Sequence, residues 1–300
     1  MSVEASVAAG RVDRLTVDGV SLAVRHWGEP DGRPVLFWHA LGAVISGAWI
    51  AEIALRLAEE GYHVVAVDGP GFGESPPLPA EGYAVPNLAR LLWAVAEADS
   101  LAHPVLVGHS WGGTIAVHAA ADRPSDVRAV VLFDSGHLDY ADVPSSNAGA
   151  TLEERAEALR AQIFDVPSFE ALVEELASEI ARPTTPELLD ALRAGIRVQS
   201  DGSVVPIVSP ETRAAALQGA VDERPSRSWP VLADAAVPVL LLLATEPAEA
   251  RTQNEAAAVR FREAIPHAEL HWCEGWGHDL IADGGPALAA DVLAWLDRAS

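Results

Sequence analysis

The sequence predicts an α/β protein built on a mostly parallel sheet. Eight short apolar runs alternate with segments of helical spacing, and strands joined by helical crossovers run parallel. Several of these runs are continuously apolar, as expected for strands that are covered by helices on both faces. The pentapeptide Gly-His-Ser-Trp-Gly at residues 108–112 lies between such a run and a helix-like segment. A chain of 300 residues, half of them hydrophobic, is long enough for one large domain or for one domain with an inserted cap.

The predicted elements follow one another at short intervals. The first two strands flank Asp18-Gly19, a strong hairpin signal, so antiparallel strands are expected at one edge of the sheet. The eight predicted strands are residues 14–17, 21–27, 34–39, 63–67, 105–107, 127–133, 237–243 and 269–273. The predicted helices outside the central segment are residues 48–59, 85–99, 114–121, 254–265 and 286–298.

The central segment, residues 139–229, has a different pattern: it contains few strand signals and several helix-start signals. Thr151 opens a segment with capping-box spacing, and Thr185 and Ser209 each precede a proline, as N-cap residues often do. The predicted division is a core of residues 1–138 and 230–300 with an inserted helical cap of residues 139–229.

Composition excludes several classes of function. The formal net charge is −23 and all 20 basic residues are arginine, so the surface repels nucleic acids and anionic membranes. The single Cys273 excludes an internal disulfide and a cysteine-based metal cluster, and its strand-like context predicts a buried thiol. Because no apolar run is long enough to span a bilayer and residues 1–5 lack a signal-peptide pattern, we expect a cytoplasmic protein.

Ser110 is the candidate nucleophile. Gly-x-Ser-x-Gly between a strand and a helix is the pattern of a nucleophile elbow, a sharp turn that exposes a serine hydroxyl. Gly108 and Gly112 leave room for the strand and the helix to pack closely, and the helix directs free N–H groups toward the serine. The alternative reading is an ordinary helix N-cap serine.

Four blocks, taken in order, resemble the α/β-hydrolase family in its form with a helical cap. The resemblance covers essentially the whole chain outside the cap, and it implies a serine hydrolase of esterase or lipase type. Within it, the block that begins at Asp68 is expected to form a structural loop. The four blocks are His39-Ala40-Leu41-Gly42, Asp68-x-x-Gly71-x-Gly73-x-Ser75, Gly108-x-Ser110-x-Gly112 and Gly275-x-Gly277-His278.

The resemblance implies the partners of the serine. A serine hydroxyl is a weak nucleophile that needs a base, and His278 lies in a glycine-flanked loop after the last strand, where the family places its base. The acid that orients the base often follows the seventh strand, but Pro247 stands at that position, with Glu246 one residue earlier. Some branches of the family place the acid after the strand that follows the elbow, where this chain has Asp134. Asp134 is therefore expected, with Glu246 as the alternative and Glu249 as a further carboxylate.

Two backbone N–H groups are expected to bind the developing oxyanion. One is implied to belong to Trp111, directly after the nucleophile, and the second to Leu41, with Ala40 as the alternative. Most relatives have glycine where Ala40 stands, so this loop departs from the family pattern.

The expected substrate pocket is apolar. Trp276, His39 and Trp111 are predicted to contact the substrate, and Phe164 and Phe169 are predicted to help the cap leucines close the roof. No arginine or lysine stands beside the motifs to bind a phosphate or carboxylate. A hydrophobic acyl or ring substituent is therefore expected.

The predicted function is a serine hydrolase that cleaves a carboxylic ester or lactone through an acyl-enzyme intermediate, with no cofactor and no metal. Its predicted partner is a small hydrophobic ester-like molecule, with no nucleic acid and no membrane. Hydrolysis of a carbon–carbon or amide bond by the same residues, and a non-enzymatic small-ligand receptor of the same fold, remain alternatives.

Overall fold

A computed structural model describes residues 10–161, 166–180 and 182–299 and contains the predicted sheet. The strands of the structure are Arg11–Val17 (β1), Val20–Trp27 (β2), Arg33–Trp38 (β3), Tyr62–Val67 (β4), Val105–His109 (β5), Ala129–Phe133 (β6), Ile196–Val198 (β7), Val204–Pro206 (β8), Val239–Ala244 (β9) and Glu269–Cys273 (β10). Eight of them form one sheet in the order β1-β2-β4-β3-β5-β6-β9-β10, and β7 pairs with β8 in a separate hairpin.

The sheet is mostly parallel, as predicted. β1 pairs with β2 and β2 pairs with β4 in antiparallel fashion, whereas the pairs from β4 to β10 are parallel. Asp18 and Gly19 connect β1 to β2 with φ angles of 50° and 78°, the left-handed backbone that a tight two-residue hairpin requires. β5 lies at the centre of the sheet, between β3 and β6, so its carboxyl end is enclosed by neighbouring strand ends.

Eleven α-helices, together with six short 3-10 helices, accompany the strands in the described residues. The α-helices are Ala51–Glu59 (α1), Val85–Ala98 (α2), Trp111–Asp122 (α3), Leu152–Arg160 (α4), Phe169–Glu179 (α5), Pro186–Ala194 (α6), Pro210–Asp222 (α7), Trp229–Asp234 (α8), Ala248–Ala264 (α9), Leu280–Gly284 (α10) and Pro286–Leu296 (α11). None of the helices in these residues is long and apolar enough to cross a membrane.

Two apolar cores lie on the two faces of the sheet. Successive side chains of a strand point to opposite faces, so Leu36 of β3 packs in one core and Phe37 in the other. The core around Leu36 includes Ile115 of α3, and the core around Phe37 includes Ile53 of α1 and Leu288 of α11. Helices therefore cover both faces, which explains why the central strands are continuously apolar.

Some predicted boundaries were wrong for local physical reasons. Helix α9 begins at Ala248 instead of 254, directly after Pro247, which stands at its N-cap. The five-residue helix α10 was not predicted; the Asp279 carboxylate caps it by accepting from the Ala282 N–H at 3.1 Å. The predicted strand 237–243 begins at Val239 and extends to Ala244.

The segment 139–229 contains helices α4 to α7 and the β7–β8 hairpin. Thr151 and Glu154 form a capping box, as predicted from their spacing. This segment approaches the rest of the chain closely, because an added Cβ at Gly195 would overlap the Val44 carbonyl and one at Gly219 would overlap the Tyr83 carbonyl. We propose that residues 139–229 are the inserted cap and that residues 1–138 and 230–300 are the core; these boundaries remain a prediction.

The loop that begins at Asp68 is held by buried hydrogen bonds. The Asp68 carboxylate accepts from the N–H groups of Gly47 at 2.7 Å and Glu74 at 2.9 Å. The Ser75 hydroxyl donates to the Asp68 carbonyl at 2.6 Å and accepts from the Ala23 N–H at 2.9 Å. Every group of this set is engaged with backbone, as expected of a structural loop.

Candidate active site

The backbone of Ser110 is strained at the junction of β5 and α3. Its φ and ψ angles are 53° and −119°, a region that residues with a side chain rarely adopt. A Cβ on Gly108 would overlap the Gly112 carbonyl, and a Cβ on Gly112 would overlap the carbonyl of Trp38 at the end of β3. Both positions therefore require glycine, and the resulting turn holds Ser110 at the carboxyl edge of the sheet.

Three strand ends bring Ser110, His278 and Asp134 together. His278 Nε2 lies 2.8 Å from Ser110 Oγ, and His278 Nδ1 lies 2.6 Å from Asp134 Oδ2. Asp134 follows β6 directly and has a φ of 45°, while His278 lies in the loop after β10. The alternative acid Glu246 is exposed, and its backbone N–H donates to the Trp276 carbonyl at 3.0 Å. Of the three candidate acids, Asp134, Glu246 and the exposed Glu249, only Asp134 is hydrogen-bonded to the imidazole in the described residues.

The second carboxylate oxygen of Asp134 is also occupied. Asp134 Oδ1 accepts from the Ala244 N–H at 3.0 Å and from Asn254 Nδ2 at 2.7 Å. Asn254 Oδ1 in turn lies 3.0 Å from Nε2 of the buried His137. Burial opposes the charge of Asp134, but its hydrogen bond to His278 and the neighbouring donors outweigh burial and lower its pKa. Asn254 and His137 belong to no motif, and sequence reasoning did not find their role.

The charge of Asp134 sets the proton positions on His278. Desolvation lowers the pKa of the imidazole, but the hydrogen bond and negative charge of Asp134 outweigh it, so the pKa of His278 is raised. The ionised carboxylate only accepts, so the proton is assigned to Nδ1, and Nε2 is left to accept from the Ser110 hydroxyl. The His278 side chain remains 55% exposed, so its edge is open to a substrate or to water.

Tyr140 is a second polar neighbour of Ser110. Its hydroxyl lies 3.1 Å from Ser110 Oγ, and burial raises the pKa of this phenol to about 12. The phenol is therefore protonated at neutral pH. When the Ser110 hydroxyl donates its hydrogen to His278 Nε2, Ser110 Oγ is free to accept a hydrogen bond from the Tyr140 hydroxyl. Tyr140 follows β6 by several residues and has no sequence signature, so it was not predicted.

The predicted oxyanion loop lies against the start of α3. Trp111 is the first residue of this helix, where backbone N–H groups have no acceptor within the helix. The same Cβ added to Gly112 would lie 2.9 Å from the His39 carbonyl, so the loop and the elbow are in contact. Arg213 Nε of α7 donates to the Leu41 carbonyl at 3.0 Å, which fixes this loop from the opposite side. The donor role of Trp111 and Leu41 remains a prediction.

Two predicted substrate contacts differ from the structure. His39 has no exposed surface; its Nδ1 lies 2.7 Å from the Ala40 carbonyl, and the Gly69 N–H donates to its Nε2 at 2.9 Å. Burial is the main cause of its lowered pKa of about 4. The Trp111 ring is also fully buried. Both side chains pack in the core and present no surface to a substrate. Trp276 is half-buried, and its contact with the substrate remains a prediction.

A cavity of about 260 Å³ lies beside Ser110. Its apolar wall consists of Leu138, Val143 and Ala250, and Gln253 adds a polar group. A second cavity of about 300 Å³ is also lined by His278, together with Ile180 and Glu246. Phe169, a predicted roof residue, packs under the Arg193 guanidinium, whose central carbon lies 4.4 Å from the centre of the Phe169 ring. Phe169 does not line the first cavity. The other predicted roof residue, Phe164, lies outside the described residues.

Comparison with known proteins agrees with this architecture. A sequence profile of the alpha/beta hydrolase fold matches residues 33–284, so the chain belongs to the alpha/beta hydrolase fold family. It is 33% identical to the uncharacterized hydrolase YugF of Bacillus subtilis over 132 aligned residues. The aligned segment covers 44% of this chain and 47% of the relative. It is 37% identical over 127 residues to Lipase 1 of Psychrobacter immobilis, covering 42% of this chain and 39% of the relative. The chain thus spans less than half the length of these curated relatives.

A solved structure is similar over nearly the whole chain. E-2-(acetamidomethylene)succinate hydrolase superposes with a TM-score of 0.75 at 21% sequence identity, covering 96% of this chain and 99% of that structure. At this identity the similarity establishes the fold and does not extend to the substrate.

Proposed function

We propose that the protein is a cofactor-independent serine hydrolase that cleaves a carboxylic ester or lactone with an apolar acyl or ring group. The observation that carries the proposal is the continuous hydrogen-bonded chain from Asp134 through His278 to Ser110, with separations of 2.6 and 2.8 Å. This arrangement activates a serine hydroxyl as a nucleophile on several unrelated folds. The similarity to a lipase and to a hydrolase supports the same chemistry.

In the proposed acylation, Ser110 Oγ attacks the carbonyl carbon of the substrate while His278 Nε2 takes the hydroxyl proton. Asp134 stabilises the imidazolium that forms. The carbonyl oxygen becomes an oxyanion and accepts from the N–H groups of Trp111 and Leu41, with Ala40 as the alternative second donor. When the carbon–oxygen bond of the ester breaks, His278 returns the proton to the leaving alkoxide, and an acyl group remains on Ser110.

Deacylation repeats the sequence with water. His278 removes a proton from a water molecule that attacks the acyl carbon, and it then protonates Ser110 Oγ as the carboxylic acid leaves. The exposed edge of the imidazole offers water a route to this position. A lactone would follow the same steps and yield a single hydroxy acid.

The cavity beside Ser110 favours a short acyl group. Its volume of about 260 Å³ lies below the range of roughly 300–1,000 Å³ that holds drug-sized ligands. Leu138, Val143 and Ala250 provide apolar contact for a short chain or ring. Trp276 is proposed to contact the remainder of the substrate.

The cytoplasmic location of the protein remains a prediction.

The test is turnover of p-nitrophenyl esters of increasing chain length, together with phosphonate labelling followed by intact mass. We expect the acetate and butyrate esters to be preferred over long-chain esters, and Ser110→Ala to lower kcat by about 10⁵–10⁶-fold. The exposed Ser125, hydrogen-bonded to Asp126 at 3.1 Å, gives the control Ser125→Ala, which should retain full activity and labelling. Equal activity of Ser110→Ala and wild type, with no phosphonate on Ser110, would refute the proposal.

A further inference from the structure

Three side chains with metal-binding atoms meet far from Ser110. His26 lies in β2, His63 is the second residue of β4, and Asp99 directly follows α2. β4, β3 and β5 run parallel, so the amino end of β4 and the carboxyl end of β5 are at opposite edges of the sheet. The cluster is therefore separate from the proposed active site.

The pairing of β2 with β4 brings the two histidines together. His26 pairs with Val65, so His63 is two residues away on the neighbouring strand and its side chain points to the same face. Diagonal neighbours of this kind are within reach of long side chains. His26 and His63 are 37 positions apart in the sequence and no metal-binding motif joins them, so no local pattern predicts that they meet.

The donor atoms have the spacing of ligands around one ion. His26 Nδ1 lies 3.3 Å from His63 Nε2 and 3.4 Å from Asp99 Oδ2, and all three atoms are within 4.8 Å of one another. A tetrahedral ion with bonds of about 2.0–2.1 Å separates its ligand atoms by about 3.4 Å. Two of the three separations match this value.

Burial leaves polar atoms of this cluster without partners. His26 and His63 are 5% and 4% exposed, and their facing nitrogens, His26 Nδ1 and His63 Nε2, share a hydrogen bond of 3.3 Å. Asp99 Oδ2 is buried with no hydrogen bond in the described residues, and so are His26 Nε2 and His63 Nδ1 on the outer sides of the rings. Such unsatisfied groups are rare in native proteins because each costs about 1–3 kcal/mol. A cation between the two rings would engage the carboxylate oxygen and the lone pairs of both imidazoles.

We propose that His26 Nδ1, His63 Nε2 and Asp99 Oδ2 bind a divalent transition-metal ion, with zinc as the best match and water as the fourth ligand. Two imidazoles and one carboxylate suit zinc, whereas magnesium and calcium prefer oxygen ligands alone. Burial lowers the pKa of both imidazoles, which keeps them in the neutral form that binds metals.

The surroundings of His26 fit this role. Its other ring nitrogen, Nε2, has no hydrogen bond in the described residues, and its nearest carboxylate oxygen is Asp13 Oδ2 of β1 at an ion-pair distance of 3.6 Å. Metal-binding histidines usually direct their second N–H at a carboxylate, which fixes the tautomer and the ring orientation. The exposed Arg11 pairs with Asp13 and partly offsets its charge. The ion would connect β2, β4 and the end of α2, so its proposed role is to stabilise this edge of the fold.

The test uses the full chain without a histidine tag, freed of metal by a chelator. We expect one equivalent of Zn²⁺ to bind by calorimetry and to raise Tm, and Co²⁺ to give the visible absorption bands of a four-coordinate site. An anomalous difference peak at the zinc edge should lie between the three residues. His63→Ala and Asp99→Asn should weaken Zn²⁺ binding at least tenfold, and Asp13→Asn about 10- to 100-fold.

Two control variants locate the ion. His271→Ala removes a partly exposed histidine that lies 3.7 Å from Glu269, and it should leave zinc binding unchanged. His278→Ala should also retain it, which separates this site from the proposed active site. Binding that is lost in His278→Ala, binding that persists in both His63→Ala and Asp99→Asn, or no saturable binding by wild type would each overturn the proposal. The Co²⁺ spectrum and the anomalous map of wild type decide the matter even if a variant fails to fold.

Discussion

Each carboxylate oxygen of Asp134 has its own partners. Oδ2 faces His278, while Oδ1 accepts from the Ala244 N–H and from Asn254 Nδ2. Asp134→Asn should therefore remove the charge that supports the imidazolium and present the wrong group to Nδ1, lowering kcat by about 10⁴-fold. Glu246→Gln changes an exposed carboxylate and should leave kcat within twofold of wild type. Steady-state kinetics of the two variants in parallel measure the difference.

The pH profile gives an independent check on the same residue. His278 must be neutral to accept the Ser110 proton, so kcat/KM falls as the pH drops through the pKa of His278. Because Asp134 raises this pKa, the acid limb of wild type should lie above the usual value of about 6.5, and in Asp134→Asn it should move to lower pH. An acid limb that stays in place in Asp134→Asn would contradict the assignment of Asp134 as the acid.

Tyr140 should contribute through one hydrogen bond. Tyr140→Phe removes a donor 3.1 Å from Ser110 Oγ and keeps the ring, so we expect kcat/KM to fall about tenfold, the equivalent of about 1.4 kcal/mol. Tyr83→Phe is the matched control, because the Tyr83 hydroxyl binds the Leu78 N–H and the Pro70 carbonyl instead. It should lower the free energy of unfolding and leave kcat unchanged. Equal kcat/KM for Tyr140→Phe and wild type would show that the Tyr140 hydroxyl does not contribute to catalysis.

At the scale of elements, the close packing of β3, β5 and α3 depends on the glycines of the elbow. Gly112→Ala would force a Cβ into the Trp38 carbonyl oxygen, which cannot move without disrupting β3. We expect a loss of about 3 kcal/mol or more in the free energy of unfolding. Gly149 has nothing within 4 Å of an added Cβ, so Gly149→Ala should stay within about 0.5 kcal/mol of wild type. Chemical denaturation of both variants measures this.

The elements differ in how far the sequence predicts them. The elbow was predictable because its glycines, strand and helix are adjacent in the chain. For the acid, the resemblance favoured Asp134 and left Glu246 open, because the choice depends on which strand end lies beside His278 in space. Tyr140 lies in the short 3-10 helix Tyr140–Asp142 and Asn254 lies in α9, so no local pattern marks them as site residues. Periodicity predicts elements, whereas the convergence of distant elements requires the structure.

A buried ion pair connects the proposed cap to α1. Glu52 is 7% exposed and pairs with Arg182, and Thr185 Oγ1 donates to the same carboxylate at 2.7 Å. Arg182→Ala would leave the Glu52 charge buried with its main partner removed, so we expect a loss of about 3 kcal/mol in the free energy of unfolding. Arg56→Ala removes an exposed partner of Glu59 in the same helix and should cost less than about 0.5 kcal/mol. Similar losses in the two variants would contradict a coupling through Glu52.

At the scale of the whole molecule, the two proposed sites lie at opposite ends of the parallel strands. The carboxyl ends of β5 and β6 supply Ser110 and Asp134, where strand ends converge and a cavity opens. The amino end of β4 supplies His63 for the proposed metal site. Because the two sites share no residue, loss of metal should lower stability without changing the chemistry at Ser110.

The net charge of the chain makes its stability depend on salt. Carboxylates outnumber arginines 43 to 20, so screening weakens the repulsion among the 23 excess negative charges more than it weakens the surface ion pairs. We expect Tm at pH 7.5 to rise by several degrees between about 20 and 200 mM NaCl. Near pH 5, close to the isoelectric point of about 4.6, the same salt increase should change Tm much less, because the excess charge is largely neutralised. A Tm that falls with salt at pH 7.5 would mean that the ion pairs, such as the one between Arg160 and Glu211, outweigh the repulsion.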